Sequence, residues 1–125
     1  MTNTLLVMAG GAFGSALRYQ LGRLAGNLLG TGYPWGTLAA NLLGGLAMGL
    51  LVGWLARFGT AGEPTRLLLG VGVLGGFTTF SAFSLETMLM IERGQATMAL
   101  GYVLMSVIGA VSAVALGLFV MRSVA

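Results

Sequence analysis

Four long runs of apolar residues, separated by short polar breaks, account for nearly the whole chain. A membrane-crossing helix needs about 20 apolar residues. Four stretches meet that length: residues 5–29, 35–56, 67–91 and 96–121. Arg18 and Arg23 shorten the clean apolar part of the first to Leu5–Leu17. Pro34 opens the second, near a helix start, where proline is tolerated. The linkers Gly30–Tyr33, Arg57–Arg66 and Glu92–Gln95 are short. The longest, RFGTAGEPTR, has the glycine, proline and charge of an aqueous loop. The pattern predicts an all-α integral membrane protein, one four-helix membrane domain over residues 1–125, with nothing left for a soluble domain. The first apolar run follows no basic segment and no evident cleavage site, so it reads as a retained helix and not a signal peptide.

Composition strengthens this picture and narrows the chemistry. The chain is 57% hydrophobic and 7% charged, against about 25% charge in a soluble domain. It has no cysteine and no histidine, and three glutamates are its only acids. Thiolate and imidazole metal sites, disulfides, cysteine nucleophiles and histidine bases are therefore excluded, as is aspartate chemistry. Nothing points to an enzyme. All six basic residues are arginines, too scattered in an apolar chain to form a nucleic-acid-binding patch.

Four spans put both termini on one side. That side holds Arg57, Arg66 and Arg122; the other holds Arg23 and Arg93, with Arg18 at a helix end. Lys/Arg bias orients membrane helices, and here it is close to nil. Either a single weakly determined orientation or dual topology, with copies inserted both ways, follows from the count. Several of the 22 glycines recur at four-residue spacing: Gly10/Gly14, Gly45/Gly49/Gly53, Gly72/Gly76 and, with an alanine, Gly109/Ala113/Gly117. Small residues at that spacing let helices approach closely, within one subunit or across a dimer.

The third run contains GGFTTFSAFS at Gly75–Ser84. Glycine and threonine weaken a helix, and hydroxyls bring polar groups into hydrocarbon. The Gly75–Gly76 step beside Thr78–Thr79 is the expected helix break, where freed carbonyls could bind a cation. Phe80 and Phe83 lie three residues apart on one helical face, with Ser81 and Ser84 beside them. Aromatic ring edges are electropositive. Alternated with hydroxyls, they could replace water around a small, strongly hydrated anion.

Polar residues elsewhere in the spans fit either structural or functional roles. Asn41, in the second run, reads as interhelical glue or as a pore-lining donor. Glu86 is an ionisable group well inside the third span, a functional position by default. Glu92 beside Arg93 reads as a solvated or snorkelling pair. Tyr102 and Ser106 share a face of the fourth run, although an isolated hydroxyl commonly bonds its own backbone. Gly70–Gly75 matches G-x-G-x-x-G, but inside a membrane span it has no strand, helix start or solvated phosphate site to support a nucleotide reading.

GGAFGSALRY at residues 10–19, the Asn41 helix with its glycines, and GGFTTFSAFS together resemble the CrcB/Fluc fluoride channels across essentially the whole chain. The resemblance implies an antiparallel, dual-topology homodimer of four-helix subunits in the plasma (inner) membrane, with the third helix broken and two separate pores. It implies passive export of fluoride down its electrochemical gradient. It also implies a structural Na⁺ at the dimer centre, held by the backbone carbonyls of Gly75 and Thr78. The implied fluoride pathway comprises Asn41, Phe80, Ser81, Phe83, Glu86, Tyr102 and Ser106, with Arg18 at an aqueous vestibule. Two positions depart from the family pattern: Ala82 and Ala110 stand where hydroxyls would extend the polar track. The competing reading is a small dual-topology, proton-coupled exporter of organic cations. That class uses a membrane-embedded glutamate early in the chain, whereas the only deep acid here is Glu86. A non-conducting packing subunit would explain the glycines but not Asn41, Glu86 and the hydroxyls together.

Overall fold

The computed structural model describes residues 1–58 and 62–124. The middle of the expected aqueous loop, residues 59–61, and Ala125 lie outside the described residues. Two long helices come first, α1 (Thr2–Leu29) and α2 (Trp35–Phe58). A composite third rod follows: a short turn α3 (Gly62–Thr65), a π-helical segment (Arg66–Leu74), a further short turn α4 (Gly75–Phe77), and then α5 (Phe80–Glu92). The fourth rod is α6 (Ala96–Ser123). No strand occurs among the described residues.

Several boundaries differ from expectation for identifiable reasons. Helix α1 begins at Thr2, three residues before the apolar run, and Leu5 N–H closes its first turn on Met1 O at 2.9 Å. Gly62–Thr65, expected as loop, is helical and is closed by an ion pair between Glu63 and Arg66 at i, i+3. Arg93 does not pair with Glu92; its Nε donates to Gln95 Oε1 at 3.5 Å. Between α5 and α6, Gly94 takes φ 78°, a left-handed conformation that suits glycine. That turn lets Gly94 N–H bond Ile91 O at 3.0 Å and Gln95 N–H bond Met90 O at 2.9 Å.

Three rods, over residues 35–57, 63–92 and 96–123, are long and apolar enough to cross a bilayer. Helix α1 is equally long but less apolar. Its clean stretch stops at Leu17, and Arg18, Gln20, Arg23 and Asn27 follow.

The break in the third rod lies three residues later than the expected Gly75–Gly76 step. Gly75 and Gly76 are helical, with Gly75 at φ −63°, ψ −38°. The extended residues are Thr78 (φ −86°, ψ 159°) and Thr79 (φ −154°, ψ 126°). Gly76 serves close approach instead of bending, whereas a Cβ on Gly75 would meet only Gly70 O at an ordinary 3.6 Å. A Cβ on Gly76 would stand 2.6 Å from Gly11 O, and one on Gly14 would collide with Val73 O. Lipid supplies no hydrophobic force between helices, so packing depends on such small residues.

The same device joins α2 to α6, the most extensively packed pair. Cβ atoms on Gly45 and Gly117 would lie 2.9 Å from Ala110 O and 2.6 Å from Leu46 O. The four-residue glycine spacings on α1, α2, the third rod and α6 are thus largely consumed within one subunit. Outside, large apolar side chains such as Phe13, Ile108 and Phe119 are exposed, as suits a lipid-facing surface.

Candidate functional site

The break is fastened by one side chain from α2. Asn41 Nδ2 donates to Thr79 O at 3.1 Å, and Thr79 N–H donates to Asn41 Oδ1 at 2.9 Å. The amide thus occupies both backbone groups of the extended residue. Thr79 Oγ1 then accepts from Ala82 N–H at 3.2 Å, capping α5. These two bonds have a consequence for the carbonyls. In a continuous helix, Thr79 N–H would bond Gly75 O and Ala82 N–H would bond Thr78 O. Both donors are diverted, so Gly75 O and Thr78 O lose their helical partners. Arg18 Nε donates to the carbonyl between them, Gly76 O, at 3.3 Å.

Beside the break is a cavity of about 430 Å³ whose wall includes Asn41, Thr78, Phe80, Phe83 and Ser106. Phe80 is 77% exposed, whereas Phe83 is buried at 9%. Their shared face therefore runs from the molecular surface into the core. The ring centroids are 5.5 Å apart, with the planes tilted by 46°. Phe83 packs on Tyr102 at 5.2 Å, and Tyr102 meets Tyr33 edge-on at 5.6 Å. Tyr33 lies between α1 and α2, where burial raises its phenol pKa.

Three buried polar atoms lack a hydrogen bond of normal geometry among the described residues, Ser106 Oγ, Tyr102 Oη and Glu86 Oε1, although Glu86, Tyr102 and Thr37 lie close enough to interact with one another. Buried polar groups are ordinarily satisfied, so three in succession are an anomaly inside apolar spans. The isolated-hydroxyl expectation fails at Ser106, which does not bond its own backbone. Ser84 and Thr87 do, donating to Phe80 O at 2.9 Å and Phe83 O at 2.8 Å. Ser106 lies on the large-cavity side of the Phe83–Tyr102 pair. Glu86 lies on the other side, in a cavity of about 210 Å³ that includes Thr37. Thr37 also lines a third cavity, of about 340 Å³, that holds Arg18 and Arg23.

The structure therefore gathers Asn41, Phe80, Phe83 and Ser106 around one space and continues through Tyr102 to Glu86, with Arg18 in the neighbouring cavity. Ser81 is exposed, 3.3 Å from Thr79 Oγ1, and is not part of the large cavity's wall. Two residues outside the expected fluoride pathway carry weight. Thr79 is the cap and the clamped residue, and a threonine immediately before a resumed helix was the available signal. Thr37 stands one turn before Asn41, an i, i+4 relation that placed it on the same face.

A family model described as CrcB-like protein, Camphor Resistance (CrcB), matches residues 5–118. The chain belongs to the CrcB family. The match overlaps all four rods and includes every residue of the site. The chain is 54% identical over 127 residues to the fluoride-specific ion channel FluC of Novosphingobium aromaticivorans, covering 100% of both chains. It is 58% identical over 125 residues to the protein of the same name from Phenylobacterium zucineum, covering 99% of this chain and 98% of the relative. Against that of Sphingopyxis alaskensis it is 52% identical over 122 residues, covering 98% and 97%.

Proposed function

We propose that this chain is a fluoride channel of the plasma membrane that lets F⁻ leave the cytoplasm passively, down its electrochemical gradient. The observation that carries this reading is the file of buried polar groups at Ser106, Tyr102 and Glu86 that lack hydrogen bonds of normal geometry, joined to the Asn41–Phe80–Phe83 cavity. A small anion must lose water to pass, and each lost hydrogen bond needs a substitute. Asn41 spends one amide hydrogen on Thr79 and retains the second for the cavity. Ser106 and Tyr102 offer hydroxyl hydrogens, and the two phenylalanines offer ring edges without a full charge that would trap the ion. Ser81 contributes from the entrance side, next to Thr79. Glu86 closes the far end, and Arg18 lines the vestibule beyond it.

The working unit in this reading is an antiparallel homodimer with dual topology. The nearly even arginine count supports it, as does Phe80, a bare ring beside the cavity that a second subunit would cover. Gly75 O and Thr78 O fit a structural Na⁺ at that interface, since the break has removed their helical donors. Bound there, the ion would supply a fixed positive charge facing the carbonyl dipoles that the break has freed.

In liposomes, the purified protein is expected to release fluoride rapidly when a potassium ionophore carries the countercharge, and to release no chloride. Proton-driven exchange of organic cations without fluoride flux would instead support the exporter. For the topology, a tag placed after Ala125 is expected to be labelled from both faces of intact vesicles. Labelling from one face only would reject dual insertion.

A further inference from the structure

A groove at the opposite end of the α2–α6 pair continues the large cavity. Along α2, Met48 of the cavity is followed at four-residue steps by Val52 and Ala56; along α6, Val114 is followed by Leu118 and Arg122. Residues four apart on a helix share a face, so both linings prolong the same surface toward the side that holds the termini. The groove encloses about 240 Å³ and ends at Arg57 and Arg122. Arg57 Nη1 donates to Arg122 O at 3.4 Å, which holds one guanidinium over the last turn of α6. Both side chains are exposed. The glutamate at this end, Glu63, is already engaged by Arg66.

We infer that Arg57 and Arg122 form an anion-gathering mouth for the pathway, matching the Arg18–Arg23 cavity at the other end. This rests on the fluoride-channel reading. The groove's apolar lining offers an ion no substitute for water, but its volume holds several waters at about 30 Å³ each. Fluoride therefore crosses it hydrated, and the arginines act through their field. Charge at the head of a narrow, low-dielectric cleft raises the local counter-ion concentration, and salt suppresses the effect. Dehydration begins only deeper, at Ser106 and Phe83.

The test is fluoride efflux from liposomes of uncharged lipid, at a fixed few-millimolar fluoride gradient, with inert salt varied. At about 10 mM ionic strength, where the Debye length is about 30 Å, R57Q/R122Q should conduct at least about threefold more slowly than wild type. At about 1 M, where it is about 3 Å, the two should converge. R57K/R122K keeps the charge and should track wild type throughout. Wild-type flux itself should fall as salt rises, a readout that needs no variant to fold. Equal rates at low salt, a deficit that persists at high salt, or a lysine pair that behaves like the glutamine pair would overturn the mouth. Absence of fluoride flux from wild type would overturn the channel reading beneath it.

Discussion

Asn41→Ala is expected to cut fluoride efflux by at least about 100-fold while the four rods remain assembled. The substitution strips Thr79 of both backbone partners at once. Each buried group left without a hydrogen bond costs about 1–3 kcal/mol. The chain can recover those bonds by resuming the helix through 78–79. That would return Thr79 N–H to Gly75 O and Ala82 N–H to Thr78 O, rotate Phe80 and Phe83, and close the cavity. The path also loses the spare amide hydrogen. A combined cost of about 3 kcal/mol in the conducting arrangement corresponds to roughly 100-fold in rate. Asn41→Asp separates the two roles. It keeps an acceptor for Thr79 N–H but replaces the donor with negative oxygen on an anion's route. Wild-type efflux in that variant would show that the amide hydrogens are dispensable.

Gly14→Val is expected to have the largest effect on stability. Its Cβ would overlap Val73 O and lie 2.9 Å from Phe77 N. The colliding atoms are backbone, which cannot move aside as a side chain does. The cost should reach the upper end of overpacking, about 3 kcal/mol, and lower the thermal midpoint in detergent by roughly 10 °C. Gly101→Ala is the control. Nothing lies within 4 Å of its added Cβ, so replacing a mid-helix glycine there should be neutral or stabilising by about 0.5–1 kcal/mol. Equal loss in both variants would mean that glycine matters here for flexibility and not for close approach.

The four rods were legible because membrane thickness imposes a length that composition alone can meet. The broken third helix was legible as well, since glycine and threonine cluster this densely nowhere else inside an apolar run. Its placement was not. Helix propensity pointed to Gly75–Gly76, but those residues are held helical against α1, and the extended step falls at Thr78–Thr79, where Asn41 reaches. The partner of a buried amide is a tertiary fact, 38 residues away in sequence, and no local pattern encodes it. The π segment was equally hidden. Arg66–Leu74 reads as an ordinary apolar helix, and its wider winding accompanies Gly10 and Gly14 lying against its backbone. Among the candidate residues, the deep polar ones stood out because each is an anomaly in hydrocarbon. Ser81 did not follow the same logic, since the structure leaves it at the surface beside Thr79.

The exposure of Phe80 has a consequence in mass-action terms. In a lone subunit, the ring and the cavity behind it border acyl chains, so one wall of the ion's path is lipid. If a second copy completes the path, as proposed, conduction is a property of the associated state. Activity per subunit then depends on the ratio of protein to lipid, and a membrane that dilutes the subunits far enough would silence them without altering a single residue.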